Sequence, residues 1–182
     1  MEHTSQLEAE RKTIGNFRRT RVISDMGTSN SMRFLELKVP PPVVAVVMAG
    51  FSWLASRTSL DFVLPHRNPI VLAAVGAGVC VAILGVASFW RAKTTLNPLK
   101  PEKSSALVKS GIYRYTRNPM YLGLLLVLVG WATFLTNPLA FVFLPVFILY
   151  MNRFQIAPEE RLLASRFGQE FTAYLSKVRR WL

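Results

Sequence analysis

Residues Gly111 to Gly123 read GIYRYTRNPMYLG and end where an apolar span begins. About 35 residues later, as a second apolar run ends, comes Pro158-Glu159-Glu160. The first stretch sets Arg114, Arg117, Tyr113, Tyr115, Tyr121 and a conformationally stiff Asn118-Pro119 at one membrane edge. The second returns two adjacent carboxylates to what should be the same edge. Tyrosine hydroxyls, a carboxylate and uncapped helix-start N–H groups suit a ligand that carries an amine, hydroxyls and a carboxylate. The apolar hairpin beside them suits a flat heteroaromatic ring. A zwitterionic, nucleoside-like cofactor would use all of these groups. Spacing alone does not name it.

Taken singly, each residue has a plain structural account. The tyrosines could be an interfacial aromatic belt, and Arg114 and Arg117 positive-inside anchors. Asn118 could cap a helix that Pro119 begins. Glu159 and Glu160 could simply favour a helix dipole. Together at one edge they make a site. No glycine-rich phosphate loop of the P-loop or Rossmann kind is present, so nucleotide phosphate binding in that style is not supported.

The elements that must position these residues are apolar blocks. Of 182 residues, 51% are hydrophobic, and they are gathered into runs instead of following a globular period. Residues 69–90 form an uncharged stretch long enough to cross a bilayer. Residues 119–135 and 138–153 follow as an expected hairpin turned at Thr136-Asn137-Pro138. Residues 39–56, which open with Pro40-Pro41-Pro42, are the least apolar of the four. The fold class expected is therefore an all-α integral membrane protein with about four transmembrane helices. Span two carries Ala74, Gly78, Ala82 and Gly85, small residues that let helices approach closely.

The net charge of +12 raises the question of nucleic acid. Its distribution answers against it. Lys and Arg gather in residues 1–38, 91–117 and 152–182, whereas the loop 55–68 holds only Arg57 and Arg67. With four spans every basic segment falls on one side, which places both termini in the cytoplasm of a multi-pass protein, at the inner membrane if the cell is bacterial. Partners expected are the lipid bilayer and a lipophilic small molecule, not nucleic acid. Cys80 is the only cysteine, and His3 and His66 are the only histidines, predicted at opposite faces. No metal site is expected from that set.

Residues 1–38 are polar, mixed in charge and without an apolar h-region, so they read as a disordered or loosely interfacial tail and not as a signal peptide. Met32 is an alternative natural start. The loop 91–117 is punctuated by Asn97-Pro98 and Lys100-Pro101, so its first half should be extended. A short helix is expected within Ser104–Tyr115. After Pro158, residues Leu163, Phe167, Phe171, Tyr174 and Val178 recur at helical spacing. They predict an amphipathic cytoplasmic helix over 158–178, begun by Pro158 at its first position. Gly168 inside it calls for a kink or close packing, because glycine there is unfavourable by roughly 1 kcal/mol.

LVKSGIYRYTRNPMYLG followed by PEERLLASRFGQEFTAYLSKVRRWL resembles the isoprenylcysteine carboxyl methyltransferase and phospholipid methyltransferase superfamily. These are integral membrane enzymes that use S-adenosylmethionine. The resemblance covers residues 94–182 through an LV-x-SG-x-Y approach, an R-x-P-x-Y-x-G core, the paired glutamates and an F-G-x-E-[FY]-x-x-Y tail, in that order. It implies a cofactor site of Leu107, Val108, Tyr113, Asn118, Pro119, Met120, Tyr121, Glu159 and Glu160. It implies methyl transfer to a lipophilic acceptor. For an amine acceptor, Glu160 or a water could take the proton, and Arg153 or Arg117 would face an anionic acceptor group. Two departures matter. The isoprenylcysteine enzymes usually carry His where this chain has Asn118. They also place an arginine four residues before the first glutamate, where this chain has Gln155. Both turn the expected acceptor away from prenylcysteine. The competing reading is a non-enzymatic membrane module that binds anionic lipid or a partner; it leaves the ordered tyrosine, Asn-Pro and Glu-Glu elements without a reason.

Overall fold

The computed structural model of the protein describes residues 36–92 and 107–182. The predicted tail up to residue 35, with Met32 and His3, lies outside them. So does the loop from 93 to 106, with its two Xaa-Pro pairs and the first part of the helix expected from Ser104.

Among the described residues every regular element is helical. Helix α1 spans Pro41–Ala55, α2 Arg67–Arg91, and α3 Pro119–Leu135. Two short helices follow, α4 at Pro138–Phe141 and α5 at Phe143–Tyr150. A π-helical turn at Met151–Ile156 then leads into α6, Ala157–Leu175. Prolines open α1, α3 and α4, where a missing N–H costs nothing and the fixed φ suits the first turn.

Helix α2 and the bent helical run Pro138–Leu175 are long and apolar enough to cross a membrane. At roughly 1.5 Å per residue, α1 and α3 reach only about 22 and 25 Å, under the roughly 30 Å of a hydrocarbon core. Leu72 and Ile83 on α2 are 72% and 60% exposed. An apolar helix that shows its large side chains outward is dressed for lipid and not for water.

Helices α2 and α3 meet almost backbone to backbone. A Cβ added to Gly78 would stand 2.6 Å from the Gly123 carbonyl oxygen, and one added to Gly123 would stand 2.6 Å from that of Gly78. Gly130 lies equally close to Val75, and Gly85 abuts Pro119 and Met120. The small residues of span two thus do the packing expected of Gly78, Ala82 and Gly85. Without water to drive apolar surfaces together, close van der Waals approach is what holds such a pair. Helix α1 lies on the other side of α3: Trp131 donates its indole N–H to the Ala49 carbonyl at 3.0 Å. Between them Val44, Ala45, Tyr121, Leu128, Phe147, Met151 and Ile156 form the main buried cluster.

The turn between α3 and α4 is where the sequence puts it. Thr136 takes a left-handed conformation, and the fully buried Asn137 accepts from the Leu139 N–H at 3.0 Å. Its amide donates to Asp61 at 3.0 Å, which ties the turn to the loop after α1.

One local expectation changes and two become specific. The chain does not begin a new helix at Pro158: helical geometry runs on through the π turn. Pro158 has no N–H to give the preceding turn, and the Phe154 carbonyl accepts from Leu37 N–H at 3.1 Å instead. Beside it Gln155 donates to the Val39 carbonyl at 2.7 Å, so the π turn anchors the segment leading into α1. At Gly168 the backbone leaves helical geometry (φ 50°, ψ −121°) with open space around the Cα, which makes it a kink and not a packing point. Last, the described part of Ser104–Tyr115 is a short 3₁₀ helix, Gly111–Arg114, preceded by irregular chain. Ser110 is extended and Gly111 has φ +63°, so an α-helix cannot run through them. A side chain at Gly111 would also meet the Ser88 hydroxyl at 2.7 Å.

The last turns of α6 and the chain just past it pack inward. Phe171, Tyr174 and Val178 are buried and gather Leu163, Phe167 and Leu107 around them.

Candidate active site

The two stretches that carry the polar residues meet. Tyr121, in the first turn of α3, donates its hydroxyl to Glu159 Oε2 at 3.0 Å. Both side chains are presented by first turns of helix, Tyr121 from a turn that Pro119 fixes and Glu159 from the start of α6. Tyr113 stands behind them, buried, with its ring edge-on to Phe89 of α2 at 5.4 Å. Its backbone carbonyl accepts the Tyr174 hydroxyl at 2.7 Å. The 3₁₀ turn is thereby clamped between α2 and α6.

Glu159 keeps some exposure as a residue, but its carboxyl is surrounded by protein. Burial, and then the neighbouring charge of Glu160, push it up to about 7, against a partly offsetting hydrogen bond from Tyr121. Burial, followed by the charge of Glu159, also pushes Tyr113 well above an ordinary phenol, so it stays a neutral hydroxyl. Burial raises Tyr174 to about 12, with the Arg117 charge acting the other way.

Glu160 points into a different network. Arg117 Nη1 lies 3.1 Å from its Oε1. Arg180 Nε donates to the same oxygen at 3.2 Å, and Arg180 Nη2 donates to Oε2. Two guanidiniums thus share one carboxylate, and Arg117 Nε is buried without a partner.

Asn118 does not cap α3 with its side chain. Its amide donates to the Arg180 carbonyl at 2.9 Å, its own N–H goes to Thr116 Oγ1 at 3.2 Å, and the Arg117 N–H goes to the Arg179 carbonyl at 3.1 Å. The plain capping account of Asn118 gives way to a tie to Arg180. Met120 packs against Gly85 of α2. Val108 is buried, and Leu107 joins the α6 cluster. Arg153 sits in the π turn with its guanidinium 5.4 Å from the Phe154 ring centre. Tyr115, one of the three tyrosines of the motif, is 75% exposed and stands apart.

Sequence reasoning missed Arg180, Thr116, Tyr174 and Trp181 as parts of this corner. Trp181 donates to Asn152 Oδ1 at 3.1 Å and fastens the terminus to the π turn. The available signal was the pair Arg179-Arg180 followed by a tryptophan, shortly after the helical spacing of 163–178 ends.

An all-helical body with an outward apolar surface and one charged corner is the architecture of a multi-helix membrane protein. The chain belongs to the phospholipid methyltransferase family, whose profile matches residues 69–170. It is 54% identical over 63 residues to an uncharacterized protein of Haemophilus influenzae, covering 35% of this chain and all of that one. It is 37% identical over 82 residues to the protein-S-isoprenylcysteine O-methyltransferase of Saccharomyces cerevisiae, covering 43% of this chain and 33% of the relative. The probable protein-S-isoprenylcysteine O-methyltransferase of Oryza sativa subsp. indica is 34% identical over 110 residues, 59% of this chain and 56% of its own. The chain therefore spans about a third to just over half the length of these two named relatives. No solved structure matches it significantly.

Membership implies a methyl donor. The residues present fit one that is cationic. Glu159 is a carboxyl held near neutrality by a buried setting, where an approaching cation gains most from a negative partner. Among the described residues no group of three His, Cys, Asp or Glu side chains could hold a metal ion.

Proposed function

We propose that the protein transfers a methyl group from S-adenosylmethionine to a lipophilic acceptor drawn from the bilayer. The observation that carries this reading is the Tyr121–Glu159 pair, a buried, oriented carboxylate at the start of two helices. When bound, the cofactor supplies an electrophilic sulfonium methyl and a neutral thioether leaving group. The protein's own task is then mainly positioning.

In this reading Glu159 binds the cationic amino end of the cofactor, and Tyr121 keeps that carboxylate aimed. Met120, Val108 and Leu107 provide apolar surface for the ring system, and Tyr113 offers a neutral hydroxyl. Arg117 faces the acceptor side, with Arg153 on the neighbouring turn. An acceptor with a thiolate or carboxylate needs no general base; an amine must first release a proton. Glu160 already accepts from two guanidiniums. With Glu159 holding the cofactor, a water is thus the better proton acceptor than Glu160.

Gln155 commits its amide to Val39. At the position where the resemblance sets a carboxylate-binding arginine, Gln155 offers no cation, and of the arginines nearby Arg117 is already paired with Glu160 and Arg153 lies on the same turn. The reading favours an amine or uncharged nucleophile over prenylcysteine. The charge distribution supports four crossings with both termini and the polar corner on the cytoplasmic side.

The test is direct titration of the purified protein in detergent with S-adenosylmethionine, followed by methyl-labelled transfer to a panel of phospholipid amines, isoprenoid alcohols, thiols and prenylcysteine. Saturable binding and label in a lipid amine are expected. Absence of saturable binding would overturn the reading in favour of a lipid-binding module.

A further inference from the structure

Residues 179–181 are built into the polar corner. Four separate contacts hold Arg179, Arg180 and Trp181 there, each to a different part of the site's framework. The Arg179 carbonyl takes the Arg117 N–H, and the Arg180 carbonyl takes the Asn118 amide at 2.9 Å. The Arg180 guanidinium grips both oxygens of Glu160. The Trp181 indole reaches Asn152 on the π turn. The two elements that present Tyr121 and Glu159, the start of α3 and the start of α6, are thus bridged by one residue. Its carbonyl sits on the first and its guanidinium on the second.

We infer that Arg180 is a positioning residue of the methyl-donor site, acting through Asn118 and Glu160 to fix Tyr121 and Glu159 relative to each other. It need not touch the cofactor. The inference rests on the proposed methyl-donor reading, whose own failure would show separately, as absence of binding by the unaltered protein.

The chemistry of the corner supplies a readout that simple loss of structure would not mimic. The groups that face Glu159 are Tyr121 from α3, Tyr113 from the 3₁₀ turn, and Glu160, whose charge is offset by Arg117 and Arg180. A cationic ligand needs the ionised carboxylate, so affinity should rise with pH through about 7. Taking away the Arg180 charge leaves Glu160 less neutralised and makes Glu159 harder to ionise, which moves the midpoint upward. Peeling the terminus away as a mere structural strap would admit water to Glu159. The midpoint would then fall toward the ordinary carboxylate range. The two roles give opposite signs.

The experiment is calorimetric titration of the full chain in detergent with S-adenosylmethionine, from pH 5.5 to pH 8.5, for the unaltered protein, Arg180→Gln and Arg180→Lys. Arg180→Gln should bind roughly five- to tenfold more weakly, the modest end of the range for a charge-assisted pair because the side chain is about one-third exposed. Its midpoint should lie above that of the unaltered protein. Arg180→Lys, which keeps the charge and loses the forked grip, should restore the midpoint fully and the affinity in part. Unchanged affinity in Arg180→Gln would overturn the inference. A downward midpoint, or equal loss in both variants, would reduce Arg180 to a structural strap and overturn it too.

Discussion

Helix α3 belongs to two different regions of the molecule. From Gly123 to Gly130 it is welded to α2 by glycine, with backbone against backbone and no polar side chain involved. From Asn118 to Tyr121 it is held by directed polar contacts that cross 38 to 62 residues of sequence. The first region tolerates almost no added volume but is indifferent to charge and pH. The second is built on a raised carboxyl and paired charges, and so depends on protonation. One helix thus transmits rigid placement from the lipid-facing body to the titrating corner.

The largest effect should come from breaking the weld. In Gly78→Val the new Cβ meets a carbonyl oxygen at 2.6 Å and the Val127 side chain at 3.0 Å, and backbone cannot swing aside as a flexible side chain does. Overpacking of this kind costs on the order of 3 kcal/mol. Thermal unfolding in detergent should show a fall of several degrees. Binding of S-adenosylmethionine should fall with it, because Gly85 on the same helix seats Pro119 and Met120. Loss of stability without loss of binding would separate the two regions.

Next is Glu159→Gln, which strikes the corner alone. Affinity for S-adenosylmethionine should drop about tenfold to hundredfold, the range for a hydrogen bond to a charged group. Stability should not fall. A carboxyl pushed up to about 7 favours its protonated form when folded, so above pH 7 its ionisation works against folding. The neutral amide removes that burden, and the melting temperature at pH 8 should equal or exceed that of the unaltered protein. A marked drop there would mean that Glu159 is structural.

The contrast also accounts for what the sequence made legible. The weld is written in periodic small residues, Gly78, Ala82 and Gly85, and α3 begins and ends at the residues the apolar run predicts, Pro119 and Leu135. Tyr121 and Glu159 were legible because topology returns both to one edge. The network around Glu160 was not. Its partners are the guanidiniums of Arg117 and Arg180, and Arg180 is held there by main-chain carbonyls of Arg179 and Arg180 that accept from Arg117 and Asn118; carbonyls have no residue type to read. The π turn was hidden for a similar reason. Pro158 signals a helix start as readily as a change of helix type, and only Leu37, more than a hundred residues away, decides between them. The resemblance supplied the roles of Leu107 and Val108, which neither charge nor spacing would have singled out.

Tyr121→Phe is a smaller perturbation of the same corner. It removes the donor that favours ionised Glu159, so the pH at which binding develops should move upward. At pH 7 affinity should fall a few-fold, in keeping with about 1 kcal/mol for one hydrogen bond. At pH 8.5 most of that loss should be recovered, because the carboxyl is then ionised with or without the tyrosine. A pH-independent loss would assign Tyr121 to ligand contact instead of carboxylate control.

The smallest effect should come from Gly76→Ala, two residues from the weld on the same helix. Nothing lies within 4 Å of the Cβ it would gain, whereas the Cβ of Gly78 would strike backbone. Alanine is the better helix former in water by roughly 1 kcal/mol, and lipid mutes that preference without reversing the space argument. Melting temperature and S-adenosylmethionine affinity should both stay within error of the unaltered protein. Were Gly76→Ala to destabilise as Gly78→Val does, the weld would not be confined to the α2–α3 seam: the outward face of α2 would have to pack against a second surface, and the oligomeric state in detergent would then change with that substitution.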